Sequence, residues 1–369
     1  MIRSLLILFL TFLMSCGLYQ GADEYWVYVS SSSDVDESGI GIYNWNPSTG
    51  KLNYVSKEST IKTSSYLTID AENQRLYSIN GEGIQGYQID VSTGQLSLIN
   101  QIGLTGDGPC YVGLADNRQY LMVAYYSSGT AVSYALDAAG RLGDEISRVQ
   151  HEGSSINTER QEKAHTHMIL PAPEGDLVVV TDLGVDQVLT YRVSQTGEFN
   201  PQPVSVTQVE AGYGPRHVAF HPNNRYIYVL AELTGHVMAY HFDSEKGIGD
   251  LIGVVSILPS DFTEFNKSAD IHITPDGQYL YASNRGDNSL AICQINPESG
   301  DLIVVDIRSC GGEWPRAFEI EPSGEYILVA NKRSDFISVL DLDTETGLYK
   351  KVEEIHGVVS PQCIKFLKK

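Results

Sequence analysis

A block of sequence recurs seven times in this chain, and no other feature narrows the possible folds so far. Each copy ends a short apolar run in a small or polar residue, at 28–31, 77–80, 122–125, 179–182, 228–231, 281–284 and 328–331. Roughly 20 residues after each run begins comes a turn signal ending in glycine: Gly50, Gly94, Gly140, Gly197, Gly247, Gly300 and Gly347. The spacing between copies is roughly 45 to 57 residues. A four-stranded propeller blade needs ~40–50 residues, and glycine supplies the positive φ that tight hairpins demand. The chain is therefore expected to be all-β, a seven-bladed β-propeller of four-stranded antiparallel blades.

The copy at 214–258 shows the blade most clearly. Residues 215–222 read as a first strand, 223–225 as a turn, 226–230 as a second strand, 236–242 as a third and 251–258 as a fourth. These runs are rich in β-branched and aromatic residues, and the chain after its first residues has no sustained helical period. The first copy begins directly on a second-type strand at 25–29, while 360–366 looks like an orphan first strand comparable to 314–320. The C-terminal strand is thus expected to complete the N-terminal blade and close the ring, leaving only short, protected edges. Length alone suggests two domains, but the unbroken repeat argues for one, spanning 25–369.

The first residues fall outside this pattern. A short basic start, Met1-Ile2-Arg3, precedes an apolar core at 5–13 that is too short to span a bilayer and has the size of a signal-peptide core. It ends in Leu13-Met14-Ser15-Cys16-Gly17, which resembles the bacterial lipobox. Residues 1–15 are expected to be a signal peptide, Cys16 the lipidated N-terminus and 16–24 a tether. The protein would then be exported and held at the bacterial envelope through its lipid alone. Position 17 is not aspartate, which by the same resemblance favours the outer membrane.

A formal net charge of −21 repels polyanions, so no nucleic-acid partner is expected. Cys110, Cys293, Cys310 and Cys363 have the spacing of neither a zinc site nor a disulfide framework and are expected to pack as small apolar residues.

On so acidic a chain a local group of Arg and His carries information. Aligning the first strands by the repeat gives the column Ser65, Cys110, His167, Arg216, Ala269, Arg316 and Gln362. First strands line a propeller's channel, so these positions should ring one mouth. The second strand runs back to the same rim, and just past its end stand Leu183, Glu232, Arg285 and Lys332. Repeat geometry thus predicts that His167, Arg216, Glu232, Arg285 and Arg316 converge at a concave mouth, the default place for a ligand. His165 and His167 share a strand face by the period of two. A histidine pair points toward a metal, but no third ligand is evident, so neither metal nor cofactor is expected. His217, alternating away from Arg216, reads as packing, and Asp182 and Asp186 as blade turns.

The stretch 214–222 (Gly-Pro-Arg-His-Val-Ala-Phe-His-Pro), followed by 226–233 (Tyr-Ile-Tyr-Val-Leu-Ala-Glu-Leu), closely resembles the seven-bladed lactonase family. That family includes bacterial 6-phosphogluconolactonase and fungal 3-carboxymuconate cyclase. His165-Thr166-His167, the run 181–186, Thr274-Pro275-Asp276-Gly277, Ser283-Asn284-Arg285-Gly286 and Glu321-Pro322-Ser323-Gly324 fit the same pattern, and the resemblance covers 25–369. It implies a carboxylic ester hydrolase acting on a small sugar-derived lactone, with His167, Arg216, Glu232 and Arg285 as catalytic residues and His165 and Arg316 toward the substrate. His167 or Glu232 would take a proton from water, and the arginines would hold an oxyanion, a phosphate or a carboxylate. No Gly-x-Ser-x-Gly motif is present, which disfavours an acyl-enzyme. Two other readings use the same mouth. One is a non-catalytic periplasmic or cell-surface propeller that binds a ligand or protein; the other is a muconate-type cyclase running the chemistry in reverse. Fold alone does not choose among them.

Overall fold

In every blade the outermost strand is the least buried. In the computed structural model, which describes residues 24–32, 38–60 and 63–369, blade 5 is Pro215–Phe220, Tyr226–Ala231, His236–Asp243 and Gly247–Ser256. Its second strand is buried at every position, whereas its fourth is mostly exposed or half-buried. Strands packed between neighbouring blades are covered on both faces and so read as continuous apolar runs; the outermost strand meets water and loses that pattern. The fourth strand starts at Gly247, not 251, because the turn glycine itself enters the ladder opposite Asp243. The expected signal peptide, Cys16 and nearly all of the tether lie outside the described residues.

Seven such four-stranded antiparallel sheets account for the described strands, and no helix occurs among the described residues. Their first strands touch one another in a closed ring. In four of the seven copies the two repeated sequence features meet at the joint between blades. The second-strand tyrosines donate hydroxyl hydrogen bonds to the turn glycine carbonyls of the following blade: Tyr28 to Gly94 (3.0 Å), Tyr77 to Gly140 (3.3 Å), Tyr228 to Gly300 (3.0 Å) and Tyr281 to Gly347 (2.6 Å). Glycine is required there twice over. Gly94 has φ +74°, and a Cβ on it would lie 2.6 Å from the Trp26 ring.

Ring closure is as expected. Pro361–Lys368 pairs antiparallel with Tyr25–Ser31, from Tyr25 opposite Lys368 to Ser31 opposite Pro361. Trp45 of blade 1 sits edge-on between Tyr326 of blade 7 (5.1 Å) and Phe366 of the closing strand (6.3 Å).

One irregularity matters for function. In six of the seven first strands the ladder register slips by one residue near the strand start, as a β-bulge. The unpaired residues are the sequence column itself: Cys110, His167, Arg216, Arg316 and Gln362, with Ala269 and Asp270 sharing the slip in blade 6. A bulge frees one residue from the pleat and re-aims its side chain. Blade 2 has no bulge; its first strand starts at Tyr66, and the Ser65 hydroxyl turns back to the Ile79 carbonyl.

Candidate active site

Three of the bulged column residues, Cys110, His167 and Arg316, meet at one mouth of the channel around a cavity of about 480 Å³. Cys110, His167, Glu232, Arg285 and Arg316 line it together with Tyr126, Arg160, Lys267 and Trp314. A cavity of this size suits a single small molecule.

Glu232 is the hub. It follows the second strand of blade 5, its N–H held by the Gly214 carbonyl (2.8 Å), and it is 3 % exposed. One carboxylate oxygen accepts from Arg160 (2.7 Å) and the other from Arg285 (2.8 Å). Arg216 Nε stands 2.9 Å from that second oxygen, as an ion pair off the line of a hydrogen bond. Burial opposes the Glu232 charge, but Arg285, Arg216 and Arg160 hold its carboxyl well below the usual carboxylate range. Three guanidiniums sharing one carboxylate leave a surplus of positive charge. Arg316 adds to it with no ion pair or hydrogen bond of its own among the described residues, and Lys267 stands at the rim. Burial pulls Arg285 down to about 9 and Arg316 down to about 10, so both remain cations at neutral pH.

His167 stands among these cations, 6 % exposed, with a buried Nδ1 that has no protein partner. Burial, then Arg216 and His217, hold it well below the ordinary histidine value, so it is a neutral imidazole with an open lone pair. The Tyr126 ring lies edge-on to it at 5.7 Å.

Several expectations change in detail. Arg216 does not line the cavity; it lies beneath Glu232, 2 % exposed, donating to the Ala269 carbonyl that the blade 6 bulge frees. His165 is not on the His167 face, because it precedes the strand and the bulge breaks the two-residue period. Its ring stacks on Tyr126 at 4.3 Å, with Nδ1 2.9 Å from the Tyr126 carbonyl and Nε2 3.1 Å from Glu162, so it backs Tyr126 instead of facing the cavity. Cys110 is no apolar filler: it lines the mouth, its thiol donates to the His167 carbonyl (3.2 Å), and burial pushes it up to about 12, so it is not a thiolate. Cys110, Cys293, Cys310 and Cys363 are all free. His217 is no packing residue either, since Asp270 and Arg216 hold both its nitrogens. Gln362 bonds back to Ser360 (3.1 Å). Asp182 and Asp186 bind backbone N–H groups of Gly184, Gly212 and Gly214, as blade turns should.

Sequence reasoning missed Arg160, Tyr126 and Lys267, and it used Trp314 only as part of a strand. Trp314 has φ +61°, outside the region a bulky residue prefers, and its ring is 5.5 Å from the Arg285 guanidinium and 3.5 Å from that of Arg333.

The buried neutral histidines make stability depend on pH. Burial and Arg216 keep His217 down at about 3, and His167 is depressed in the same way. Below a pH of about 6.5 the unfolded chain binds protons that these folded residues refuse, so stability falls as pH falls. His272 has the opposite sign: burial opposes its charge, but Asp270 and Glu319 raise its proton affinity. Its contribution is therefore complete below about 6.5 and is lost only as pH rises. Between about pH 6 and 4.5, before carboxylates titrate, urea unfolding should show a loss of roughly 1–3 kcal/mol per pH unit, and His217→Gln should reduce that slope. A flat profile for the native chain over this window would contradict the neutral assignment.

Comparison with known proteins agrees with the fold. A family model described as Lactonase, 7-bladed beta-propeller matches residues 26–366. The 6-phosphogluconolactonase of Bacillus subtilis is 34 % identical over 338 residues, covering 89 % of this chain and 94 % of that protein. The 6-phosphogluconolactonase of Formosa agariphila is 32 % identical over 345 residues, covering 89 % and 95 %. The structure of the periplasmic gluconolactonase of Pseudomonas aeruginosa superimposes with a TM-score of 0.86 at 26 % identity, covering 93 % of this chain and 99 % of that one. With 34 % identity to a relative that it covers almost end to end, and a family match over its whole ring, the chain belongs to the seven-bladed β-propeller lactonase family.

Proposed function

We propose that this protein hydrolyses a sugar-derived lactone, in the manner of a 6-phosphogluconolactonase, with His167 as general base. The observation that carries the reading is a buried neutral imidazole with an open nitrogen, set among guanidiniums of which three share the single carboxylate of Glu232. Glu232 is poorly suited to be the base, because its lone pairs and charge are committed to arginines. In the proposed reaction His167 takes a proton from water as the water oxygen attacks the lactone carbonyl carbon. The tetrahedral oxyanion forms in the field of Arg285, Arg316 and Arg216. Its collapse breaks the ring C–O bond, and the leaving alkoxide takes the proton back from His167. The product is an open-chain hydroxy acid, whose carboxylate is also an anion in a cationic cavity. Arg316 and Lys267, short of counter-charge, are placed for a phosphate or carboxylate substituent.

The segment 1–24 supports export and a lipid anchor at Cys16, and the Pseudomonas aeruginosa relative is named as periplasmic. An envelope enzyme meets unphosphorylated lactones, so the substituent is the open variable. The test is a lactone panel with residues 17–369, comparing phosphorylated and free gluconolactone against spontaneous hydrolysis. Hydrolysis above background is expected for at least one, with the lower KM for the phosphorylated form. No acceleration of any lactone, together with tight binding of a sugar acid, would favour the binding-protein reading.

A further inference from the structure

Below the mouth runs a line of buried and half-buried polar groups, which past its first member the proposed chemistry does not use. It begins at Arg216, whose Nη1 lies 3.0 Å from His217 Nε2. A guanidinium has no lone pair to accept with, so Arg216 donates and Nε2 carries no proton. The proton must then sit on Nδ1, which lies 2.8 Å from Asp270 Oδ1. Asp270 in turn accepts from the backbone N–H groups of Ile271 (3.1 Å) and Phe318 (3.2 Å) and stands 3.2 Å from His272 Nε2. His272 is 3.6 Å from Glu319, which Lys365 meets at 2.5 Å. The rings of His167, Tyr111 and Tyr66 enclose His217 edge-on at 5.3, 5.6 and 6.4 Å. Arg216, His217 and Asp270 are each no more than 3 % exposed.

We propose that His217 and Asp270 are positioning residues for Arg216, Asp270 fixing the His217 tautomer so that a neutral acceptor holds the guanidinium in place without cancelling its charge. The chemistry explains the choice of residue. A second carboxylate at position 217 would orient Arg216 equally well but neutralise it. An apolar side chain would preserve the charge but leave a buried donor unpaired and the guanidinium free to turn. A neutral histidine with its donor side tied to Asp270 avoids both. Arg216 therefore keeps its direction toward Glu232 and its field on the cavity.

The kinetic part of this inference rests on the lactone-hydrolase reading; the tautomer does not. The test combines both on the full chain from residue 17. In ¹⁵N-histidine NMR spectra, His217 should be a single neutral Nδ1–H tautomer from pH 5 to 8, and Asp270→Asn should mix the tautomers. An imidazolium or an Nε2–H form in the native protein would overturn the proposal whether or not any lactone is turned over. For kinetics, His217→Leu should lower kcat by about 10²-fold, the scale expected when a catalytic group is misplaced, with KM within about threefold. His217→Gln, whose amide can accept from Arg216 and donate to Asp270, should restore most of the rate with the pH profile unchanged. If His217→Leu does not fold, His217→Asn, polar but too short to reach both partners, takes its place and should show the same loss. Full activity in the Leu or Asn variant would overturn the proposal. So would loss of the acidic limb of the profile in His217→Gln, which would make His217 itself the titrating base. A native protein inactive on every lactone would instead remove the hydrolase reading and leave the NMR result to decide the tautomer.

Discussion

Replacing His167 by glutamine should lower turnover by about 10²–10⁴-fold, the usual worth of a positioned general base, while leaving the melting temperature nearly unchanged. His167 makes no side-chain hydrogen bond that the fold depends on; its Nδ1 is already without a partner. Glutamine fills a similar space but cannot take a proton. Glu232→Gln should behave differently. Its charge is shared by Arg160, Arg216 and Arg285, and without it three guanidiniums repel one another in a buried cluster. Breaking such a cluster costs about 3–5 kcal/mol, so this variant should melt earlier and lose substrate affinity through misplaced arginines. The pH profile separates the two: the acidic limb should survive in Glu232→Gln and vanish from the residual activity of His167→Gln. If both variants keep full activity on every lactone the native protein hydrolyses, the mouth is not the catalytic site and the binding-module reading is the better one.

What the sequence allowed depended on whether the repeat carried the information. The architecture was legible because its two recurring signals, the apolar second-strand run and the turn glycine, meet where blades join: in four copies the run opens on a tyrosine that bonds the glycine carbonyl of the next blade. The convergence of His167, Arg216, Glu232, Arg285 and Arg316 was legible because each holds a fixed place in the repeat. The bulge was not legible: a single unpaired residue changes no composition, yet it removed His165 from the His167 face and set Arg216 beneath the cavity. Arg160 lies on a connection between blades and occupies no repeat position, so alignment of copies could not find it. A signal did exist. The interval from the third run to the fourth is 57 residues, the longest in the chain, and the extra length is the loop that carries Arg160 to Glu232. An insertion into one repeat maps to a loop, often on the binding face. His217 was misread because alternation says which way a side chain points, not what meets it there; its partner Asp270 is 53 residues away.

Deleting residues 360–369 should unfold the protein at physiological temperature, a larger effect than that of any single substitution at the mouth. The closing strand contributes seven register pairs to Tyr25–Ser31 and buries Cys363, Ile364 and Leu367 at 1–3 % exposure. Fully burying an apolar side chain contributes about 1.5–3 kcal/mol, and the lost ladder adds to it. The total is comparable to the roughly 5–15 kcal/mol by which a typical domain is stable. The loss would also spread. Without this strand, Phe366 leaves Trp45, and Tyr25–Ser31 becomes an open edge that is apolar and ready to pair with another chain. Aggregation on expression is therefore expected along with a collapsed melting transition. A permuted chain distinguishes loss of closure from loss of residues. The Lys369 N–H already donates to the Glu24 carbonyl at 3.0 Å, so the closing strand ends where the first strand begins. Moving 360–369 to the front and joining Lys369 to Glu24 through a loop of about two to five residues makes the pair a hairpin. That chain should recover the native melting temperature with its ends reopened near residue 359. A truncated chain that melts like the native one would show that the ring does not depend on its clasp; a permuted chain that stays unfolded would show that the clasp must form last, from the C-terminus.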